Sequence, residues 1–227
     1  MKTPAVPEDL RRAIGDDLQP IRPLAPVWMR TLTAIAVAAT GLSMIAVIFK
    51  LTLRPDMGQI PMWLGWGCTA AQIVLGIVLI GIALREAVPG SGLPSGAAAL
   101  VVGAAVVLQV LVGVATWMHS PGMPYVAGRA LATGIGCATH DIALGLPALA
   151  VTLWLVFRAL PLRPCVAGLV GGAGAAVTAD AVNHIICPMS DLRHVLVWHT
   201  GVIFGLMLVG WMTGKVWQRV RFGRTRT

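Results

Sequence analysis

The sequence predicts an all-α, polytopic membrane protein with six transmembrane helices and both termini in the cytoplasm. Three observations lead there. The 227-residue chain is 57% hydrophobic and only 11% charged, less than half the roughly 25% charge of an ordinary soluble domain. Its apolar residues form long continuous runs, not the alternating segments of about ten residues that a membrane β-barrel needs. Lys and Arg gather on one side of those runs. A water-soluble globule could not cover its surface with so little charge, and a disordered chain needs low hydrophobicity with high net charge. A helical span takes about 20 residues, so six spans leave no room for a large soluble catalytic domain.

Residues 1–27 form the first unit. The opening MKTPAVPEDLRRAIGDDLQPIRPLAP is polar and proline-rich and lacks the pattern of a signal peptide. Glu8 to Leu18 predicts about three helical turns, with Pro7 acceptable at the first position. Leu10, Ile14 and Leu18 then share one face, while Arg11, Arg12, Asp16 and Asp17 point mostly elsewhere. The helix stops before Pro20, and Ile21-Arg22-Pro23-Leu24 continues as an extended linker. Such a helix is marginal alone in water but suited to fold into a partner's groove with its apolar face as anchor. A helix lying on the membrane surface, or disorder, is the plainer reading of the same residues.

The second unit, 28–214, holds the apolar runs 28–53, 62–84, 97–118, 134–157, 165–186 and 195–214. Backbone groups in lipid must be satisfied within the segment, so each run is read as a helix. The connectors are polar or rich in Pro and Gly: RPDMGQIP, REAVPGSGLPS, HSPGMPYVAGR, RALPLRP and CPMSDLRH. Pro147 predicts a kink in the fourth helix. In the fifth, Gly168, Gly172 and their neighbours read as a close-packing face, not as a nucleotide loop, because no strand precedes them. Gln72 and Gln109 are expected to hydrogen-bond between helices, and Cys68 and Cys165 to be structural. The basic tail, 215–227, is expected to bind anionic lipid, with no direct nucleic-acid role.

With both ends inside, 13 of the 17 Lys and Arg fall on the cytoplasmic side, leaving only Lys50, Arg54, Arg129 and Arg193 outside. On that outer side lie all five histidines and two of the four cysteines. Cys137–His140 and His184–Cys187 are each spaced i, i+3, so on a helix each pair shares a face. Asp141 follows the first pair, and Asp180 precedes His184 by one turn. An acid inside a span marks a candidate functional site.

Three chemistries fit this cluster. Cys137 and Cys187 could form a disulfide outside the cytoplasm. Cys137, His140, His184 and Cys187 could bind zinc, copper or another heavy metal, if only transiently. A thiol activated by histidine or Arg193 could be oxidised reversibly. The alternative is ordinary interfacial polar residues, with cysteine acting as a small apolar side chain. Nothing in the sequence resembles an enzyme's nucleophile with its base and orienting group. No repeat divides the helices as in many transporters.

Several short motifs occur in order along the chain: Asp9-Leu10-Arg11-Arg12, Leu53-Arg54-Pro55-Asp56, Ala87-Val88-Pro89-Gly90, Pro161-Leu162-Arg163-Pro164, Cys187-Pro188 and Val197-Trp198-His199. In this order and placement the sequence resembles the NrsF family (negative regulator of sigma F), six-helix membrane anti-sigma factors of bacteria. The resemblance implies an inner-membrane protein whose N-terminal segment holds an extracytoplasmic-function sigma factor. Asp9, Leu10, Arg11, Arg12, Ile14 and Leu18 are the candidate contacts. It also implies that Cys137 and Cys187 sense oxidative or heavy-metal stress and trigger release. The rival reading is a small membrane metal-handling or redox protein built on the Cys–His pairs.

Overall fold

The computed structural model describes residues 7–17, 23–120 and 130–223. Among these every regular element is helical, and six helices are long and apolar enough to cross a bilayer. A short helix, α1 (Glu8–Asp17), comes first and carries Glu8 and Asp9 in its first turn, where carboxylates complement the helix dipole. The spanning helices are α2 (Val27–Ile48), α3 (Trp63–Glu86), α4 (Ser95–His119), α5 (Ala130–Phe157), α6 (Pro164–His184) and α7 (Leu192–Arg221).

Two boundaries differ from the apolar pattern. The first run extends to residue 53, but α2 ends at Ile48, where Lys50 turns into the left-handed region at φ 50°. The fifth run extends to 186, but α6 ends at His184. Pro188, which has no N–H to donate, follows closely. Helix α5 runs through Pro147 without a break, and that proline faces Gly41 of α2 across a gap that a Cβ on Gly41 would close to 3.0 Å.

Helix α6 is the axis of the bundle. In its most apolar window 72% of the residues are buried, against 11% in α2. Its Gly- and Ala-rich sequence lets neighbouring backbones approach closely, which is how helices associate where lipid removes the hydrophobic drive. Gly168 meets Gly210 of α7 backbone to backbone, and Gly174 meets Gly76 of α3 in the same way. Around these crossings pack Leu79, Ala83, Leu149, Val170, Ile203 and Leu206.

Successive helices alternate in direction, so the bundle has two ends. One end gathers the start of α2 and the C-terminal ends of α3 and α5, where buried Arg30 donates to the carbonyls of Leu84 and Leu155. At the same end Arg163 pairs with buried Glu86 and donates to the Leu93 carbonyl. The opposite end holds Cys137, Cys187 and the histidine residues.

Candidate functional site

At that opposite end the cysteines meet. Cys137 of α5 and Cys187, in the connector after α6, are free, buried, and have their Sγ atoms 3.2 Å apart. Helix α6 ends just before Cys187, whose N–H donates back to the Asn183 carbonyl at 2.7 Å. The Asn183 amide in turn donates to the Cys137 carbonyl at 3.2 Å. This arrangement, with Pro188 following, brings Cys187 against Cys137 of α5 and off the helix face that the i, i+3 spacing had it share with His184.

The connector then starts α7. Asp191 caps it, its Oδ1 accepting from the N–H groups of Arg193 and His194. The residues Val195–His199 form a π-helical turn, in which hydrogen bonds run i to i+5. His194 and His199, five apart, therefore fall on one face, with ring centroids 5.3 Å apart. His194 Nε2 lies 3.5 Å from Cys187 Sγ. One ligand atom from each of Cys137, Cys187, His194 and His199 lies within 4.8 Å of every other, and all four residues are buried.

His199 is held from behind. Its Nδ1 donates to Asp180 Oδ1 at 2.8 Å and stands 3.3 Å from Asp141 Oδ2. Its Nε2 is buried without a hydrogen bond of normal geometry. Asp180 is itself fixed by Gln72 of α3 and Gln109 of α4, both of which donate to its Oδ2, while Gln72 also donates to Gln109. A cavity of about 20 Å³, the size of one water or ion, adjoins Cys187, His199 and Asp180.

A second network closes this end. Arg54 forms a two-pronged pair with Asp56 at 2.6 and 2.7 Å and also donates to Ser190 Oγ at 2.8 Å. Its backbone N–H donates to the Ile185 carbonyl. Burial opposes ionisation of Asp56, but hydrogen bonds from Arg54 and Ser120 outweigh it and bring the carboxyl down to about 2. At Cys187 the hydrogen bond with Cys137 acts against desolvation and, with the imidazoles of His194 and His199, pulls the thiol below its usual range.

A family model described as the negative regulator of sigma F, NrsF, matches residues 15–219. The chain belongs to the NrsF family. A curated relative, the anti-sigma-F factor NrsF of Caulobacter vibrioides (strain NA1000 / CB15N), is 27% identical over 215 residues, covering 92% of this chain and 96% of the relative. No solved structure matches. NrsF membership gives the chain a regulatory class and a sigma factor as its kind of partner.

The sequence-derived residues of this NrsF-family chain are distributed as follows. Cys137 and Cys187 come together. The two histidines paired with them by spacing do not join them. His140 packs edge-on against Phe49, and His184 has both ring nitrogens engaged, by Thr69 at 3.1 Å and Thr116 at 3.0 Å. His194 and His199 stand there instead, and spacing did not pair them because five positions do not share a face in an α-helix. In α1, Asp9, Leu10, Arg11 and Arg12 are exposed. Leu18 and the side chain of Ile14 lie outside the described residues.

Proposed function

We propose that this chain is a multi-pass inner-membrane anti-sigma factor with both termini cytoplasmic. Its N-terminal segment, residues 1–27, holds an extracytoplasmic-function sigma factor, and its outer thiols govern release. The observation that carries the reading is the pairing of Cys137 and Cys187, 3.2 Å apart and reduced, at the end of the bundle away from the start of α2. The Lys and Arg asymmetry supports the orientation, and the NrsF relationship supports a sigma factor as partner.

In this proposal the sensor chemistry needs no enzyme. A two-electron oxidant takes two electrons and two protons from the thiols, which join as a disulfide, Cys187 attacking first as the more acidic thiol. A heavy-metal ion instead displaces the two thiol protons and bridges the sulfurs. Either product draws α5 and the α6–α7 connector into a new spacing. Helix α5 ends beside Arg30, which donates to its Leu155 carbonyl at the start of α2. A shift of α5 thereby alters the exit of the sigma-binding segment. The signal acts only through its differential affinity for the two arrangements. The anchor residues are Leu10, Ile14 and Leu18, with Asp9, Arg11 and Arg12 at the rim.

The test is a mild-detergent pulldown of the tagged full-length chain beside one lacking residues 1–26, each with and without oxidant or metal. The expected result is a sigma factor retained only by the full-length chain and released by the signal. The double variant Cys137→Ser, Cys187→Ser should retain it under both conditions. Normal release from that variant would end the thiol proposal. A tail that proves dispensable, with metal bound to the outer cluster, would favour a metal-handling protein instead.

A further inference from the structure

We infer that Cys137, Cys187, His194 and His199 form a four-coordinate site for one thiophilic divalent metal ion, of which zinc is the type. The inference rests on the sensing proposal for its biological consequence, naming the ligand that the thiol pair takes, while the coordination stands on the side chains alone. Metal–sulfur bonds of about 2.3 Å and metal–nitrogen bonds of about 2.0–2.1 Å in a tetrahedron set ligand atoms about 3.4–3.8 Å apart. Here Sγ to Sγ is 3.2 Å and Cys187 Sγ to His194 Nε2 is 3.5 Å. All four ligand atoms lie within 4.8 Å of one another, so small side-chain adjustments complete the tetrahedron.

The surroundings fit a ligand set as well as the four atoms do. With Nδ1–H donated to Asp180, His199 has Nε2 left as its ligand atom, buried and without a normal hydrogen bond. A carboxylate behind a ligating imidazole fixes its tautomer and raises its basicity. The donors are thiolate and imidazole, a set that selects zinc-like ions over magnesium or calcium. Binding balances ligand by ligand: each thiol or imidazolium that ligates gives up one proton, a thiolate or neutral imidazole gives none, and the ion enters as those protons leave. His140 and His184, each engaged elsewhere, take no part.

The experiment is titration of the reduced, chelator-treated full-length chain in detergent with Co²⁺, followed by competition with Zn²⁺. The expected result is one ion per chain, with ligand-field bands of a tetrahedral site, a charge-transfer band for two thiolates, and displacement by Zn²⁺. His194→Ala and His199→Ala each weaken binding about tenfold or more, and Asp180→Asn weakens it by about 10–100-fold. His140→Ala leaves it unchanged. His199→Cys keeps the tetrahedral bands and adds the charge transfer of a third thiolate, which a merely structural histidine would not allow. No bound ion, an octahedral spectrum, or wild-type affinity in both histidine-to-alanine variants overturns the site. The wild-type spectrum decides the matter if variants do not fold. Sigma retention read on the same sample separates the two ideas. A chain that holds the sigma factor and takes up no Co²⁺ overturns the metal site alone, and one that binds the ion without holding sigma overturns only the anti-sigma reading.

Discussion

His194 and His199 stand on one side of α7, ring edge to ring face at 5.3 Å, although five positions along an α-helix correspond to about 140° of rotation. The π turn between them removes that offset. Both imidazoles consequently bear on Cys187, and the neighbouring thiol of Cys137 bears on it from α5.

This makes the two thiols unequal. The folded-state acidity of Cys187 is raised, so its thiolate persists to pH values below the ordinary thiol range near 8.5 and is lost only as pH falls through the lowered value. Alkylation of the native chain by a small haloacetamide, slowed overall by the burial of Cys187, should therefore keep its rate without falling off in mildly acidic buffer. Cys137→Ala removes the hydrogen bond that is the largest lowering cause and should move the profile to higher pH, with His194→Ala moving it less. Peptide mass spectrometry of the alkylated sites reads both. A Cys187 profile equal to that of a free thiol would contradict the arrangement.

Asp180 is the hub on which three helices converge. Asp180→Ala strands the Gln109 donor and takes one acceptor each from Gln72 and His199, which keep Gln109 Oε1 and Asp141 Oδ2 within reach; a stranded buried group costs about 1–3 kcal/mol. The chain should melt markedly lower in detergent. Asp180→Asn, which keeps an acceptor oxygen, should lose less. Equal melting of all three proteins would show that the network adds no stability.

The glycine crossing makes a contrast within one residue type. A Cβ at Gly168 would run into the Gly210 carbonyl of α7, whereas a Cβ at Gly103 meets nothing within 4 Å. Gly168→Ala should cost about 1–3 kcal/mol by overpacking, and Gly103→Ala should be neutral or stabilising by up to about 1 kcal/mol. Fluorescence-detected thermal denaturation compares them directly, and a harmless Gly168→Ala would mean that the two helices do not cross there.

On α1, Leu10 is 50% exposed, an apolar side chain half uncovered among the described residues. Leu10→Asp should reduce sigma-factor retention in the pulldown by about tenfold or more, as loss of an interface anchor does, with the melting temperature unchanged. Undiminished retention would move the binding surface elsewhere.

The sequence by itself determined the six spans, because lipid requires each span to satisfy its own backbone, and only long continuous apolar runs meet that demand. It also marked Gly168 and Gly172 as a packing face and Gln72 and Gln109 as bridging residues. For the same local reason, it brought Cys137 and Cys187 to notice: they are polarisable side chains at span ends, beside acids. The tertiary structure alone decided which histidines join them. Spacing of i, i+3 governs only residues on one continuous helix, and Cys187 lies beyond the end of α6. His140, a turn from Cys137 but about 60° around α5, reaches Phe49 instead of the interior. His199 arrives through a π turn and is held by Asp180 from another helix. Local chemistry is written in order along the chain, whereas a site built from three helix ends depends on where each helix stops and how it turns. Those depend on packing between residues far apart in the sequence.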